Sequence, residues 1–202
     1  MRLDHVILAT DDLDRTCLRL GHLGLGWVPG GRHDGIGTLN RIVPLGVGYL
    51  ELLTVVDPSE ARTSPFGSWA LRALIAGEAL MGWAVAVDDV EEVAGRLGAP
   101  VEELARAGLV ARLTGVSQAA ANPALPFFIA RSAGTADPGR TPSEHDVVVE
   151  GFDRLELGID EPALQAWLDV PCELGHTELH FAPERSGLLG VCIRAAGVTL
   201  RV

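Results

Sequence analysis

Gly30-Gly31-Arg32-His33-Asp34-Gly35-Ile36-Gly37-Thr38, with the segment Leu39 to Leu53 that follows, is the stretch around which this chain is organised. It opens as a polar, glycine-rich loop and continues as two apolar strands joined at Gly46-Val47-Gly48. Glycine suits a loop whose backbone turns through positive φ or comes close to a ligand. One carboxylate, Glu51, interrupts the second strand between Leu50 and Leu52. An ionised side chain inside an apolar strand requires water, a partner charge or a metal on its face. The chain's chemistry therefore turns on what Glu51 meets.

Outward from the hairpin, Leu3 to Ala9 alternates as a strand, with Leu3, His5 and Ile7 on one face and Asp4, Val6 and Leu8 on the other. Asp11-Asp12 then caps a helix whose buried stripe is Leu13, Cys17, Leu20 and Gly24. Leu25 to Pro29 is a short strand. Ser64-Pro65 starts a helix over 65–77. Leu80 to Val87 is again a strand running into a pair of aspartates, Asp88-Asp89, and then a helix. Glu102 to Ala107 reads as loop or short helix, Ser117 to Pro126 as loop, and Phe127 to Arg131 as strand. Phe152 to Ile159 is a third strand that ends at an acidic residue, Asp160, before a helix.

This repetition of strand, aspartate and helix, each followed by further strands, predicts an α+β protein. Repeated βαβββ modules would form curved, mostly antiparallel sheets around a cleft, with the helices outside. Two modules, about 1–57 and 80–131, make one domain over 1–131, with the helix 65–77 between them. Residues 132–150, rich in Gly, Pro, Ser and Thr, read as a linker. Residues 151–202 form a third βαβββ-like module packed on the same body.

The net charge of −11 argues against nucleic acid or an anionic membrane as partner, since both select basic surfaces. No apolar run reaches the ~20 residues of a membrane span. Cys17, Cys172 and Cys192 form no C-x-x-C pair and sit in apolar patterns, as buried thiols do. A cytoplasmic protein is the expectation. A phosphate loop and a nucleophile elbow are both missing, and Gly35-Ile36-Gly37 lacks the third glycine of a dinucleotide fingerprint, so no nucleotide cofactor is expected.

On one curved sheet, His5 and Glu51 would converge. A neutral imidazole and a carboxylate suit Zn, Mn, Fe, Ni or Co. The same two residues are equally a hydrogen-bonded pair that satisfies two buried polar groups. Arg32, His33 and Asn40 are further candidates for substrate binding. Arg32 is a fork for an anion, and His33 a base or an extra ligand. Trp27, Trp83 and Phe128 are candidate pocket walls, or, as aromatic residues more often are, part of the core. In a strand, His176, Glu178 and His180 would share one face, with the composition of a facial metal triad or of a wet edge strand.

Residues 3–9 (Leu-Asp-His-Val-Ile-Leu-Ala), 30–38, 40–46 (Asn-Arg-Ile-Val-Pro-Leu-Gly), 49–53 (Tyr-Leu-Glu-Leu-Leu) and 82–89 (Gly-Trp-Ala-Val-Ala-Val-Asp-Asp) together resemble the glyoxalase-like domain of the vicinal oxygen chelate superfamily. The resemblance implies paired βαβββ modules in an eight-stranded half-barrel. It also implies a divalent metal in the concave face that chelates two adjacent substrate oxygens. The ligands come from the first and last strands of each module, which makes His5 and Glu51 the first pair. Glu51 and His33 are then the catalytic candidates, and Arg32, His33, Asn40 and Trp83 the substrate-binding ones. Isomerase, lyase or dioxygenase chemistry follows from the resemblance, or else metal-free binding of a small molecule. The position matching His5 is Gly82 in the second repeat and Arg154 in the third. The missing ligands would have to come from water, substrate, another residue, or a second chain in a homodimer.

Overall fold

A computed structural model describes residues 1–77, 79–106, 109–132, 134–169, 175 and 177–202. The first βαβββ unit comprises β1 (Arg2–Ala9), α1 (Leu13–Gly21), β2 (Val28–His33), β3 (Thr38–Pro44) and β4 (Tyr49–Val55). Two helices follow, α2 (Pro58–Ala61) and α3 (Pro65–Ala76). The second unit comprises β5 (Leu80–Ala86), α4 (Val90–Leu97), β6 (Val101–Arg106), β7 (Leu109–Thr114) and β8 (Phe127–Arg131), with α5 (Val116–Ala121) between its last two strands. These strands form one eight-stranded curled sheet in the order β2-β3-β4-β1-β5-β8-β7-β6. The two halves are related about the antiparallel β1–β5 seam, where His5 pairs with Ala84 and Ile7 with Gly82. Within each half, the first strand pairs in parallel with the last, Ile7 opposite Glu51 and Ala84 opposite Phe127.

The aspartates that mark the repeat have a common physical role. Asp12, Asp89 and Asp160 each accept a hydrogen bond from a backbone N–H of the first helical turn, from Arg15, Glu92 and Ala163 respectively. Each satisfies an orphan donor at the point where strand becomes helix.

The third unit, β9 (Val149–Gly158), α6 (Glu161–Leu168), β10 (Glu178–Phe181), β11 (Gly187–Ala195) and β12 (Val198–Arg201), keeps the order of elements but not the pairing. Its sheet runs β10-β9-β11-β12, so its first strand lies between its second and third. In the first two units the first strand pairs with the fourth.

Strand alternation separates two cores. Val6, Leu8, Leu50, Leu52, Trp83, Val85 and Phe128 face one way, and α1, α4, α6 and the four-stranded sheet pack against them. Ile7, Ala9, Leu53, Ala84, Phe127 and Ile129 face the other way, against Phe66, Trp69 and Ala70 of α3 and Val116 and Ala119 of α5. Helices α3 and α5 close over part of the face that carries His5 and Glu51. Three local readings change. Residues 28–33 are strand rather than loop from Gly30 onward, Val101–Arg106 is strand, and Val116–Ala121 is helix. No helix among the described residues is long and apolar enough to cross a membrane.

Candidate functional site

The site is built on β1, with β3 and β4 supplying one side and β8 the other. Glu51 on β4 is 4% exposed and His5 on β1 is 3% exposed. His5 Nε2 lies 3.4 Å from Glu51 Oε2. The other Glu51 oxygen accepts from Asn40 Nδ2 at 2.5 Å. Asn40 in turn accepts from the Gly31 N–H at 2.9 Å, and its amide nitrogen also lies 3.4 Å from His33 Nε2. His33 Nδ1 is 2.8 Å from the Thr38 hydroxyl. His5, Glu51, His33 and Asn40 are therefore brought together. The glycine at position 30 has a steric reason: a β-carbon there would fall 1.9 Å from Asn40 Oδ1. The bulge in β2 between Pro29 and Arg32 depends on that close approach.

Strict alternation would send Asp4 to the opposite face from His5. The structure places an irregularity in the β1–β5 ladder between Leu3 and His5. Leu3 thus joins the far core, while Asp4 Oδ2 reaches His5 Nδ1 at 2.7 Å. A bulge beside a site re-aims side chains in just this manner. Asp4 is fully buried and is clamped by Arg131, whose Nη1 and Nη2 donate to its two oxygens at 2.6 Å each. Burial alone would raise the Asp4 carboxyl, but hydrogen bonds from Arg131 and His5 outweigh it and hold the group well below the usual carboxylate range. Burial of the Arg131 side chain, which is largely enclosed by protein, would lower its pKa, but its hydrogen bonds to Asp4 and Tyr49 and their charges outweigh this and hold the guanidinium above its ordinary value.

An ionised Asp4 only accepts hydrogen bonds, so the proton of the Asp4–His5 contact sits on His5 Nδ1. His5 Nε2 then faces Glu51 Oε2. The imidazole is also fixed by its stack on Tyr49, with ring centroids 4.7 Å apart and planes 17° apart. Phe127 stands edge-on to it at 5.6 Å.

The cluster borders a small cavity of about 60 Å³. His5, His33, Asn40, Tyr49, Glu51 and Arg131 make its polar wall, and Phe66, Leu104, Leu113, Phe127 and Ile129 its apolar one.

Other candidates lie elsewhere. Arg32 is on the surface, paired with Glu60 and 3.9 Å from Asp57. Trp83 does not line the cavity; it pairs opposite Val6, packs in the far core, and donates its indole N–H to the Ala124 carbonyl at 3.1 Å. Phe128 shares that core, and Trp27 is partly exposed beneath the Arg41 guanidinium. Glu178 and His180 are exposed on β10, 3.3 Å apart; His176 lies outside the described residues. Sequence reading missed Asp4, Tyr49, Phe127 and Arg131. The position of Phe127 was legible in the repeat, because it occupies the Glu51 position of the second unit. The Asp4 bulge and the approach of Arg131 across 127 residues left no local signal.

The sequence matches the family described as "Glyoxalase-like domain" over residues 3–170, which span both βαβββ units. The chain belongs to that family. It is thereby a member of the vicinal oxygen chelate superfamily. A hypothetical protein from Staphylococcus aureus aligns over 99% of this chain and 97% of its own at a TM-score of 0.65 and 17% identity. That likeness shows a shared fold that includes the third unit. Methylmalonyl-CoA epimerase from Mycobacterium tuberculosis aligns over 64% of this chain and 85% of its own, at 18% identity and a TM-score of 0.46. A hypothetical protein from Bacillus halodurans aligns over 66% and 96%, at 16% identity and a TM-score of 0.48. No curated protein matches the sequence.

The glyoxalase-like resemblance implies a divalent metal, and the residues present do not fit one. The second unit would have to complete the ligand set from the positions matching His5 and Glu51. At the first of these stands Gly82, where a β-carbon would lie 2.3 Å from Cη2 of Trp69, so a ligating side chain has no room. At the second stands Phe127. On the first unit's side, the Asn40 amide sits between His33 Nε2 and Glu51 Oε1, which are 3.9 Å apart. Among the described residues, no group of three or more His, Cys, Asp or Glu side chains is placed to hold a metal ion, short of the three protein ligands that catalytic sites of this kind use.

Proposed function

We propose that this protein binds a small oxygen-bearing molecule in the cavity between the two βαβββ units and transfers a proton to or from it. Glu51 is the base, and His5 holds the companion proton. The supporting observation is the contact between His5 Nε2 and Glu51 Oε2 at 3.4 Å, with His5 fixed from behind by Asp4. An imidazole nitrogen and a carboxylate oxygen held this close, beside a cavity with an apolar wall, are suited to acid–base chemistry. Isomerase- or lyase-type proton transfer next to a carbonyl is the reaction class these side chains serve unaided. His33 and Asn40 position Glu51, while Phe66 and Phe127 cover the rest of the ligand and exclude water. We place the protein in the cytoplasm, a reading supported by its acidic surface and by the absence, among the described residues, of a membrane-crossing helix.

A second reading, metal-free binding without turnover, is favoured by one observation. The polar side chains of the cavity already satisfy one another, as Asn40 does for Glu51. Proton wash-out separates the two. Hydroxyacetone, incubated with the protein in D₂O and followed by ¹H NMR, should lose its carbon-bound protons faster than in buffer. Glu51→Gln should lower that acceleration by about 10²–10⁴-fold, the usual contribution of a positioned base. Saturable hydroxyacetone binding without any wash-out would leave the sequestration reading in its place.

A further inference from the structure

Proton abstraction next to a carbonyl leaves an enolate, and its oxygen needs a cation or strong donors. The metal that would supply this has no complete ligand set here. The cation present in the cavity wall is Arg131. It lies on β8, in the other half of the sheet from Glu51 on β4, and its position is over-determined: Asp4 takes one N–H from each Nη, and the Tyr49 hydroxyl accepts from Nη2 at 3.1 Å. A guanidinium has five N–H donors, so among the described residues two remain for a ligand. Arg131 also stands at a neck: with Ile129 and Thr135 it lines both the 60 Å³ cavity and an open cleft of about 660 Å³ at the end of the sheet. A ligand entering from that cleft passes the guanidinium before it reaches Glu51.

We infer that Arg131 takes the electrophile's place in this glyoxalase-like pocket and binds the substrate oxygen that becomes anionic. The inference rests on the proton-transfer reading of Glu51. In the step, the Glu51 carboxylate takes a proton from the carbon beside the carbonyl. The C–H electron pair becomes the C=C bond, and the carbonyl π pair moves onto oxygen, which accepts from Arg131. Return of the proton from Glu51 to carbon reverses the electron flow and regenerates the carboxylate, so no oxidant, reductant or metal is consumed. The substrate class is a small carbonyl compound with a hydrogen on the adjacent carbon and a polar tail directed to the cleft. Asp4 is a positioning residue for both Arg131 and His5.

The test uses acetohydroxamate, a planar mimic of such an enolate, with the protein stripped of metal by EDTA and then dialysed free of the chelator. Wild type should bind it saturably, shifting the amide signals of Tyr49, Phe127 and Arg131, and added Zn²⁺ or Mn²⁺ should not tighten binding. Arg131→Lys keeps the charge but loses the fork, and should weaken binding at least tenfold. Should that variant fail to fold, the Arg131 side-chain Nε–H resonance of wild type is the readout; it should move on titration. Binding that requires the metal, an equal Kd in folded Arg131→Lys, or an unmoved Nε–H signal overturns the inference. Loss of hydroxyacetone wash-out in Glu51→Gln together with unchanged acetohydroxamate binding in Arg131→Lys would spare the proton-transfer reading and reject Arg131 alone. No probe binding to wild type, with no wash-out, rejects both.

Discussion

Asp4 and His5, adjacent on one strand, share a hydrogen bond of 2.7 Å, although strand geometry ordinarily sends neighbours to opposite faces. The bulge between Leu3 and His5 makes the contact, and Arg131 makes it charged. This pair joins the Asp4–Arg131 bridge, which spans from β1 to β8 over β5, to the orientation of the imidazole facing Glu51.

Removal of the Asp4 carboxylate should therefore be costly. Asp4→Ala leaves Arg131 without its bidentate partner in a largely buried setting, and should destabilise the protein by about 3–5 kcal/mol, as breaking one side of a buried pair does. Urea unfolding measures the loss. A surface-like change of a few tenths of a kcal/mol would contradict the network described here.

The same carboxyl sets an acid limit. Its folded pKa is depressed, so its contribution to stability is fully present above the unfolded value near 4 and is lost as pH falls below that toward the folded pKa. Urea midpoints for wild type and Asp4→Asn should differ by a constant amount above about pH 5 and converge below about pH 4. A gap that widens in acid would reverse the assignment.

Gly82 is a packing requirement. Gly82→Ala drives a methyl into the Trp69 indole, whose Cη2 lies 2.3 Å from the built β-carbon, and should cost about 1–3 kcal/mol by overpacking. Differential scanning fluorimetry reads the shift. Gly82→Ala with Trp69→Phe should recover part of it, because the smaller ring vacates the contact.

Asn40 and Arg32 were equal candidates in the sequence and should behave differently. Asn40→Ala removes the donor to Glu51 and the acceptor of the Gly31 N–H, a loss of about 1–3 kcal/mol where buried groups are left unpaired. Acetohydroxamate binding should weaken with it. Arg32→Ala, on the surface beside Glu60, should leave both stability and probe binding at wild-type values. Trp83→Phe should lower stability through the lost bond to Ala124 while leaving probe binding unchanged.

What was legible in the sequence was what local physics controls. Apolar alternation, aspartate caps and turn glycines specify two βαβββ units, because a strand that ends at an N-cap must turn into a helix whichever protein contains it. Glu51, alone among leucines, stood out, and the twofold spacing put it and His5 on definite faces of their own strands, which would meet if both lined one sheet. The third unit shows the limit of that reasoning. Its elements repeat in order, yet β9 pairs with β10 and β11 rather than with a fourth strand, since pairing is chosen by contacts between strands and not within them.

The tertiary structure alone decided how the pocket is completed. Which face Trp83 and Phe128 adopt follows from a register set across the β1–β5 seam. Asp4 reached the site through a one-residue irregularity that no periodicity reports. Arg131 arrived from the far end of the second unit, and Trp69 from the helix between units, to fill the space above Gly82. Each of these depends on the closure of long loops in three dimensions. Glu51 stood out in the chain itself; its contacts, and the cation that lines the same cavity, were set only by the fold.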